Sequence, residues 1–349
     1  MIENKCAYFG VCGGCQIQGL NRTEYESQKM NHLIEVLGDI SFEKMNPIIT
    51  FESGIRRKAT FKIDYGCNIG FFKAKSNDVV PIQKCPLLLD EINSLILPLR
   101  KLFKSFVKRS DGSIAVAKVD NGVTLHFENI NIMLLDKQKI KEFAEKYNIL
   151  RITNGAEELY KKEEPVVVFN SVKIPYPPKT FLQPALETEQ KIVDVVFDYL
   201  SGKKFSNVGD FFCGLGLFSF YLKNVADRVF AFDCDEDAVH QLKRIAHSHH
   251  FNIDAKQADL FAHPVRTEKL NELDLIILDP PRDGAKSQVS EIAKSKVKTV
   301  VYVSCNPLAF KTDAKILIGG GYRLRKITPV DQFPNTKHLE LVCLFEKEN

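Results

Sequence analysis

From about residue 205 onward the chain alternates short apolar runs with helical stretches, and no other feature restricts its fold so strongly. Ser206–Asp210, Arg228–Asp233, Leu273–Asp279 and Thr299–Ser304 are such runs, each bounded by polar turns. Strands alternating with helices read as βαβ units, which assemble into a doubly wound parallel α/β sheet. Ligands of such sheets bind beyond the carboxyl ends of the strands. Chemistry is therefore expected of the residues at those ends.

The first run ends in Asp210-Phe211-Phe212-Cys213-Gly214-Leu215-Gly216. A G-x-G turn between strand and helix lets the backbone approach a ligand closely, although such turns occur in many folds. The second run ends at Asp233, where a carboxylate can accept hydrogen bonds from both ribose hydroxyls of an adenosine. The third glycine of the dinucleotide fingerprint is replaced in Leu217-Phe218-Ser219. That departure favours S-adenosylmethionine (SAM) over NAD. Asp259, after the third strand, suits either an adenine contact or a helix cap.

Counting the further strand before Asp259, the fourth strand leads into Asp279-Pro280-Pro281-Arg282. The two prolines keep the backbone extended and free of amide donors, so Asp279 is presented rigidly. The fifth ends in Ser304-Cys305-Asn306-Pro307, which places a cysteine at the ligand crevice. A following helix N-terminus is expected to stabilise its thiolate. A buried structural cysteine is the competing reading, but the position one strand after Asp-Pro-Pro-Arg favours a nucleophile. In Phe333–Glu340, Glu340 opens a last apolar strand and is a candidate general base, while His338 reads as an orienting residue.

These motifs occur in order with Arg56-Arg57-Lys58-Ala59, Phe181-Leu182-Gln183-Pro184 and cysteines at the front of the chain. Together they resemble the bacterial RNA uracil-C5 methyltransferases, the group containing TrmA, RlmC and RlmD, across nearly the whole length. The resemblance implies a Rossmann-like class I SAM-dependent methyltransferase domain preceded by a mixed α+β domain. It implies Cys305 as nucleophile and Glu340 as base. It implies Gln183, Phe212, Gly214, Asp233 and Asp279 as SAM-binding positions, with Asp279 and Gln183 also near a flipped uracil. The chemistry is consistent: carbon 5 of uracil is a poor nucleophile until a thiolate adds at carbon 6. A base must then remove the carbon-5 proton. Ala185 stands where the family has Asn, and Asp233 where Glu is usual.

Cys6, Cys12 and Cys15 form C-x5-C-x2-C, and Cys85 is a fourth candidate ligand. Four thiolates suit zinc or an iron–sulfur cluster. The resemblance favours a [4Fe–4S] cluster that folds the front of the chain. It also makes 23S rRNA the expected partner, with a layout most similar to the RlmC group and no TRAM barrel ahead of the cysteines. Methylation of tRNA, cytosine-C5 chemistry and a non-catalytic RNA-binding factor are the alternatives. Arg56, Arg57, Lys58 and Lys62 are candidate phosphate contacts, or an ordinary solvated strand face.

The 349 residues are too many for one ordinary core. Pro175, Pro177 and Pro178 mark a boundary. The expected organisation is a cysteine module over 1–18 with Cys85, a helical segment over 19–44, a mixed α+β domain over 45–175 and the catalytic domain over 176–349. Thr23 to Leu37 is expected as a helix capped by Asn21 or Thr23. A net charge of +4 permits a polyanionic partner without demanding one. No run approaches the roughly 20 apolar residues of a membrane span. No signal pattern opens the chain. A cytoplasmic, monomeric enzyme is expected, with the nine cysteines not engaged in disulfides.

Overall fold

The computed structural model describes residues 6–52 and 54–347. Residues 1–5, over which no signal pattern was expected, lie outside the described residues, as do residues 53 and 348–349. Helix α1 (Arg22–Leu37) is capped by Asn21, whose side chain accepts from the Glu24 amide at 3.0 Å. The Glu24 carboxylate accepts the Asn21 amide at 3.1 Å, which completes a capping box. Tyr25, Lys29, Leu33 and Leu37 form its buried stripe, so a lysine sits where the period calls for an apolar residue. A two-residue strand, β1 (Lys44–Met45), follows.

The middle of the chain contains β2 (Lys58–Ile63), β3 (Ile69–Phe72), β4 (Val79–Pro81), α2 (Asp90–Lys104), β5 (Gly112–Val119), β6 (Gly122–Glu128), α3 (Leu134–Lys146), β7 (Ile149–Asn154) and β8 (Glu157–Lys161). The strands form one sheet in the order β4-β3-β2-β5-β6-β7-β8, antiparallel except where β7 joins β6. Alternation sorts its two faces. Phe61, Ile63, Ile114, Val116, Leu125 and Phe127 pack with Ile96, Leu99 and Phe103 of α2 and Ile140 of α3. Fully burying each such side chain stabilises the fold by roughly 1.5–3 kcal/mol. The opposite face carries Lys58, Thr60, Ser113, Thr124 and His126, and the segment around Tyr176–Lys179 borders it.

A hairpin, β9 (Val166–Phe169) and β10 (Val172–Pro175), leads into the last unit. That unit contains α4 (Leu186–Tyr199), β11 (Phe205–Phe211), α5 (Leu217–Leu222), β12 (Ala226–Asp233), α6 (Glu236–Ser248), β13 (Ile253–Gln257), α7 (Thr267–Leu270), β14 (Leu275–Leu278), α8 (Lys286–Lys294), β15 (Thr299–Ser304), α9 (Pro307–Gly319), β16 (Tyr322–Val330) and β17 (Glu340–Lys347). Its sheet order is β1-β16-β17-β15-β14-β11-β12-β13. β11 to β15 are parallel, and β17 is inserted antiparallel between β15 and β16. The strand order reverses at β11 and β14, which opens the crevice where ligands bind in such sheets.

The front of the chain docks onto this unit. β1 pairs in parallel with β16, and Leu33 and Leu37 of α1 join Phe310, Ala314 and Ile327 in one core. Among the described residues no helix is long and apolar enough to cross a membrane.

Candidate active site

Register places the strand-end residues together. Phe211 pairs with Leu278, Leu278 with Tyr302, and Ser304 with Leu341. Asp279, Cys305 and Glu340 are each one residue from those pairs, so all three emerge at one edge of the sheet. The insertion of β17 beside β15 is what brings Glu340 to Cys305.

A buried amide network supports this edge. Gln332 Nε2 donates to Glu340 Oε2 at 2.9 Å and to Gln183 Oε1 at 2.8 Å. Gln183 Nε2 donates to Asp279 Oδ2 at 3.1 Å, and Thr188 Oγ1 donates to Gln332 Oε1 at 2.9 Å. Gln183 is thus linked to both carboxylates. Gln332 and Thr188 had no part in the sequence expectation. The one available signal was a polar pair, Asp331-Gln332, directly after an apolar strand. Ala185, where the family has Asn, is the N-cap of α4 and gives it no side-chain cap. The Thr188 hydroxyl, whose one proton is shared with Gln332 Oε1, also lies 3.0 Å from the Ala185 carbonyl.

Electrostatics at the edge oppose negative charge. Burial pushes Asp279 up to about 7, and Asp210 and Asp233 add to the shift. Glu340 is raised well above the usual carboxylate range by burial and then by Asp279, while its bond from Gln332 pulls the other way. Cys305 is pushed up to about 12 by burial, Glu340 and Asp279, with Arg282 opposing. This differs from the expected helix-stabilised thiolate, for a local reason. Asn306 caps α9 with its own side chain, which accepts from Leu308 at 3.2 Å, and Pro307 has no amide to offer. His338 meets Arg282 at 3.3 Å, on the exposed side.

The glycine turn is built for close approach. Phe212, Gly214 and Gly216 all have positive φ, at 63°, 51° and 88°. A Cβ at Gly216 would come within 2.6 Å of Leu242, whereas one at Gly214 meets nothing within 4 Å, so the space before it is open. Asp233 Oδ2 accepts the Gly214 amide and Oδ1 the Asp235 amide, each at 2.8 Å. These bonds fix the carboxylate and leave lone pairs for a ligand. The Phe212 and Phe261 rings, 5.7 Å apart, form an apolar wall. Asp259 accepts the Phe261 amide at 2.9 Å within a turn and caps no helix, since the next one, α7, begins at Thr267 with Arg266 as its N-cap.

The front cysteines converge on a separate cavity of about 260 Å³, lined by Cys6, Cys12, Cys15, Cys85, Arg56 and Asn335 among others. Among the described residues no group of three or more metal-ligating side chains is drawn together. Burial and the neighbouring thiols push Cys15 up to about 11, and Cys12 and Cys85 rise for related reasons. Cys67 and Cys343 are buried in the cores, outside this cavity.

The candidate phosphate contacts divide. Arg57 departs from the expectation: it is buried, paired with Glu189 at 2.5 Å, and donates to the Gln183 carbonyl at 3.0 Å. Lys58 is half-buried and gives its ammonium to the Thr180 carbonyl at 3.0 Å. Burial, with Arg57 beside it, lowers Lys58 to about 8. Arg56 lies over the Phe333 ring at 5.8 Å and lines the cysteine cavity. Lys62 lies 5.4 Å from the Phe72 ring.

Comparison with known proteins adds to this geometry. The family described as tRNA (Uracil-5-)-methyltransferase matches residues 157–348. The 23S rRNA (uracil(1939)-C(5))-methyltransferase RlmD of Shewanella woodyi is 32% identical, over 99% of this chain and 82% of its own. An uncharacterized RNA methyltransferase of Agrobacterium fabrum is 30% identical, over 97% of this chain and 83% of its own. The solved structure of Pyrococcus abyssi tRNA (uracil-54, C5)-methyltransferase with S-adenosyl-L-homocysteine has a TM-score of 0.73. It covers 95% of this chain and 85% of its own at 23% identity, which speaks for the fold alone. That fold is the class I SAM-dependent methyltransferase fold.

Proposed function

The chain belongs to the RNA (uracil-C5)-methyltransferase family, and on that premise we propose that it methylates carbon 5 of a uracil in 23S rRNA through Cys305 and Glu340. The observation that carries this reading is the meeting of Cys305, Glu340 and Asp279 at one sheet edge, two of them held by one buried glutamine network.

In this mechanism the Cys305 thiol gives up its proton as its sulfur bonds to carbon 6, which makes carbon 5 enolate-like. A thiol held near 12 does not ionise alone at neutral pH. Asp279, near 7, is the neighbouring group able to accept the proton. When bound, SAM supplies an electrophilic methyl group on a sulfonium. Glu340 then takes the proton from the methylated carbon 5, the sulfur–carbon bond breaks with its electron pair leaving on sulfur, and the sulfur recovers from Asp279 the proton it gave up. The Gln332 bond keeps the Glu340 carboxylate aimed and lowers its proton affinity.

Asp233, Gly214 and Phe212 fit SAM: a fixed carboxylate for ribose, open space at the glycine, and an aromatic wall. Gln183 and Asp279 border the reacting end. Cys6, Cys12, Cys15 and Cys85 would hold the [4Fe–4S] cluster, which would cross-link the front loop to the loop that precedes α2. Arg56 supports an anionic occupant, because its buried Nε has no partner.

The substrate is tested by incubating the protein with labelled SAM and either 23S rRNA or tRNA transcripts, followed by nucleoside analysis. Label in 5-methyluridine from rRNA is expected. Label only from tRNA would overturn the substrate, and 5-methylcytidine would overturn the chemistry. Iron and zinc quantitation of anaerobically purified protein decides the cluster.

A further inference from the structure

The face of the central sheet opposite α2 and α3 contains a cavity of about 230 Å³ that the mechanism does not use. Cross-strand register explains it. Thr60 on β2 pairs with Ala115 on β5, which pairs with His126 on β6. Lys58, Ala117 and Thr124 form the adjacent row. Two alanines in the central strand leave a trough, walled by polar side chains on both neighbours.

His126 is only 8% exposed, yet its Nε2 has no partner, while Nδ1 meets Thr153 Oγ1 at 2.7 Å. A buried polar atom without a partner costs free energy that a ligand can recover. Ser113 is similarly buried, and Thr124 keeps hydroxyl lone pairs beyond its bond to the Arg151 carbonyl. The volume is below the roughly 300 Å³ at which drug-sized pockets begin, which suits a single planar ring.

The position ties the cavity to the active edge. Lys58 lines it and holds the Thr180 carbonyl, three residues before Gln183. Three extended residues span at most about 11 Å. Phe181, 63% exposed, lies between them with its ring 6.0 Å from the Lys58 ammonium. RNA loops are recognised through splayed bases stacked on aromatic rings and hydrogen-bonded at their edges. We propose that this cavity is a second base pocket, taking an unstacked base of the target RNA near the methylated uridine, with His126 Nε2 on its edge and Phe181 at its mouth. This rests on the RNA methyltransferase reading.

The test measures binding of the substrate RNA by fluorescence anisotropy, separately from methyl transfer. Single abasic sites are placed at each of the flanking positions of the target uridine. With unaltered protein, one position is expected to weaken binding at least about fivefold, the size of one neutral hydrogen bond. Two variants are compared: His126→Ala, and Ala115→Leu, which fills the trough while leaving the polar groups in place. Both should bind intact RNA about fivefold more weakly and lose the penalty at that one position, with unchanged thermal melting. Ala115→Leu keeps the question answerable if His126→Ala unfolds. A penalty that persists in Ala115→Leu, or no sensitive position, overturns the pocket. Failure of the unaltered protein to bind RNA overturns the RNA reading and the pocket with it. Binding with no pocket dependence overturns the pocket alone.

Discussion

Gln332→Ala removes the centre of the active-edge network. The amide makes bonds to Glu340, Gln183 and Thr188, and it is 1% exposed. Water cannot replace these partners. Each lost net hydrogen bond costs about 0.5–1.5 kcal/mol, and an orphaned buried acceptor more. The expected destabilisation is therefore roughly 2–4 kcal/mol, read from the midpoint of a urea titration. Losing the Gln332 bond also removes the interaction that lowers Glu340, so its proton affinity rises further. The removal of the carbon-5 proton should slow. A general base contributes 10² to 10⁴ in rate, so about a tenfold fall in kcat is expected, with covalent RNA adduct accumulating on ordinary uridine substrate. Stability within about 0.5 kcal/mol together with unchanged kcat would refute the reasoning.

Three further outcomes follow from buried charge. Lys29→Met leaves Asp331 buried with the Tyr25 hydroxyl but no cation, and breaking such an ion pair costs about 3–5 kcal/mol in urea unfolding. Arg57→Ala should lower stability similarly through Glu189, whose carboxyl burial already holds near 7, yet leave the salt dependence of RNA binding unchanged. A shallower salt slope would instead make Arg57 a phosphate contact. Asp279 titrates near 7, raised from the carboxylate range, so it is increasingly protonated and uncharged below that pH. Its attraction for a cationic sulfonium then fades. SAM affinity measured by calorimetry should fall between pH 8 and 6 by more than that of neutral-sulfur S-adenosylhomocysteine; equal slopes would contradict this.

The strands of the catalytic half were legible because their apolar runs end at sharp polar motifs. Their edge strand β13 is weaker, since Ile253 and Ala255 are its only apolar members. The expected boundary for α1 was close because a capping box is a local signal. The placement of Glu340 beside Cys305 depends on β17 entering between β15 and β16, a non-local choice that no local period encodes. Arg57 was misread because a basic tripeptide looks solvated, while its partner Glu189 lies far along the chain. Lys29 broke the apolar stripe of α1, and its partner Asp331 sits in a distant loop. Tyr25 reaches the same carboxylate at 2.6 Å, so α1 steadies the segment that carries Gln332.

Trapping on 23S rRNA containing 5-fluorouridine tests the central claim most directly. Fluorine at carbon 5 blocks the final proton removal, so protein, SAM and RNA should form an adduct that survives a denaturing gel. Mass spectrometry should locate the bond at Cys305, and Cys305→Ala should abolish it. A stable adduct at another residue, or none with any RNA that the protein methylates, would contradict the mechanism.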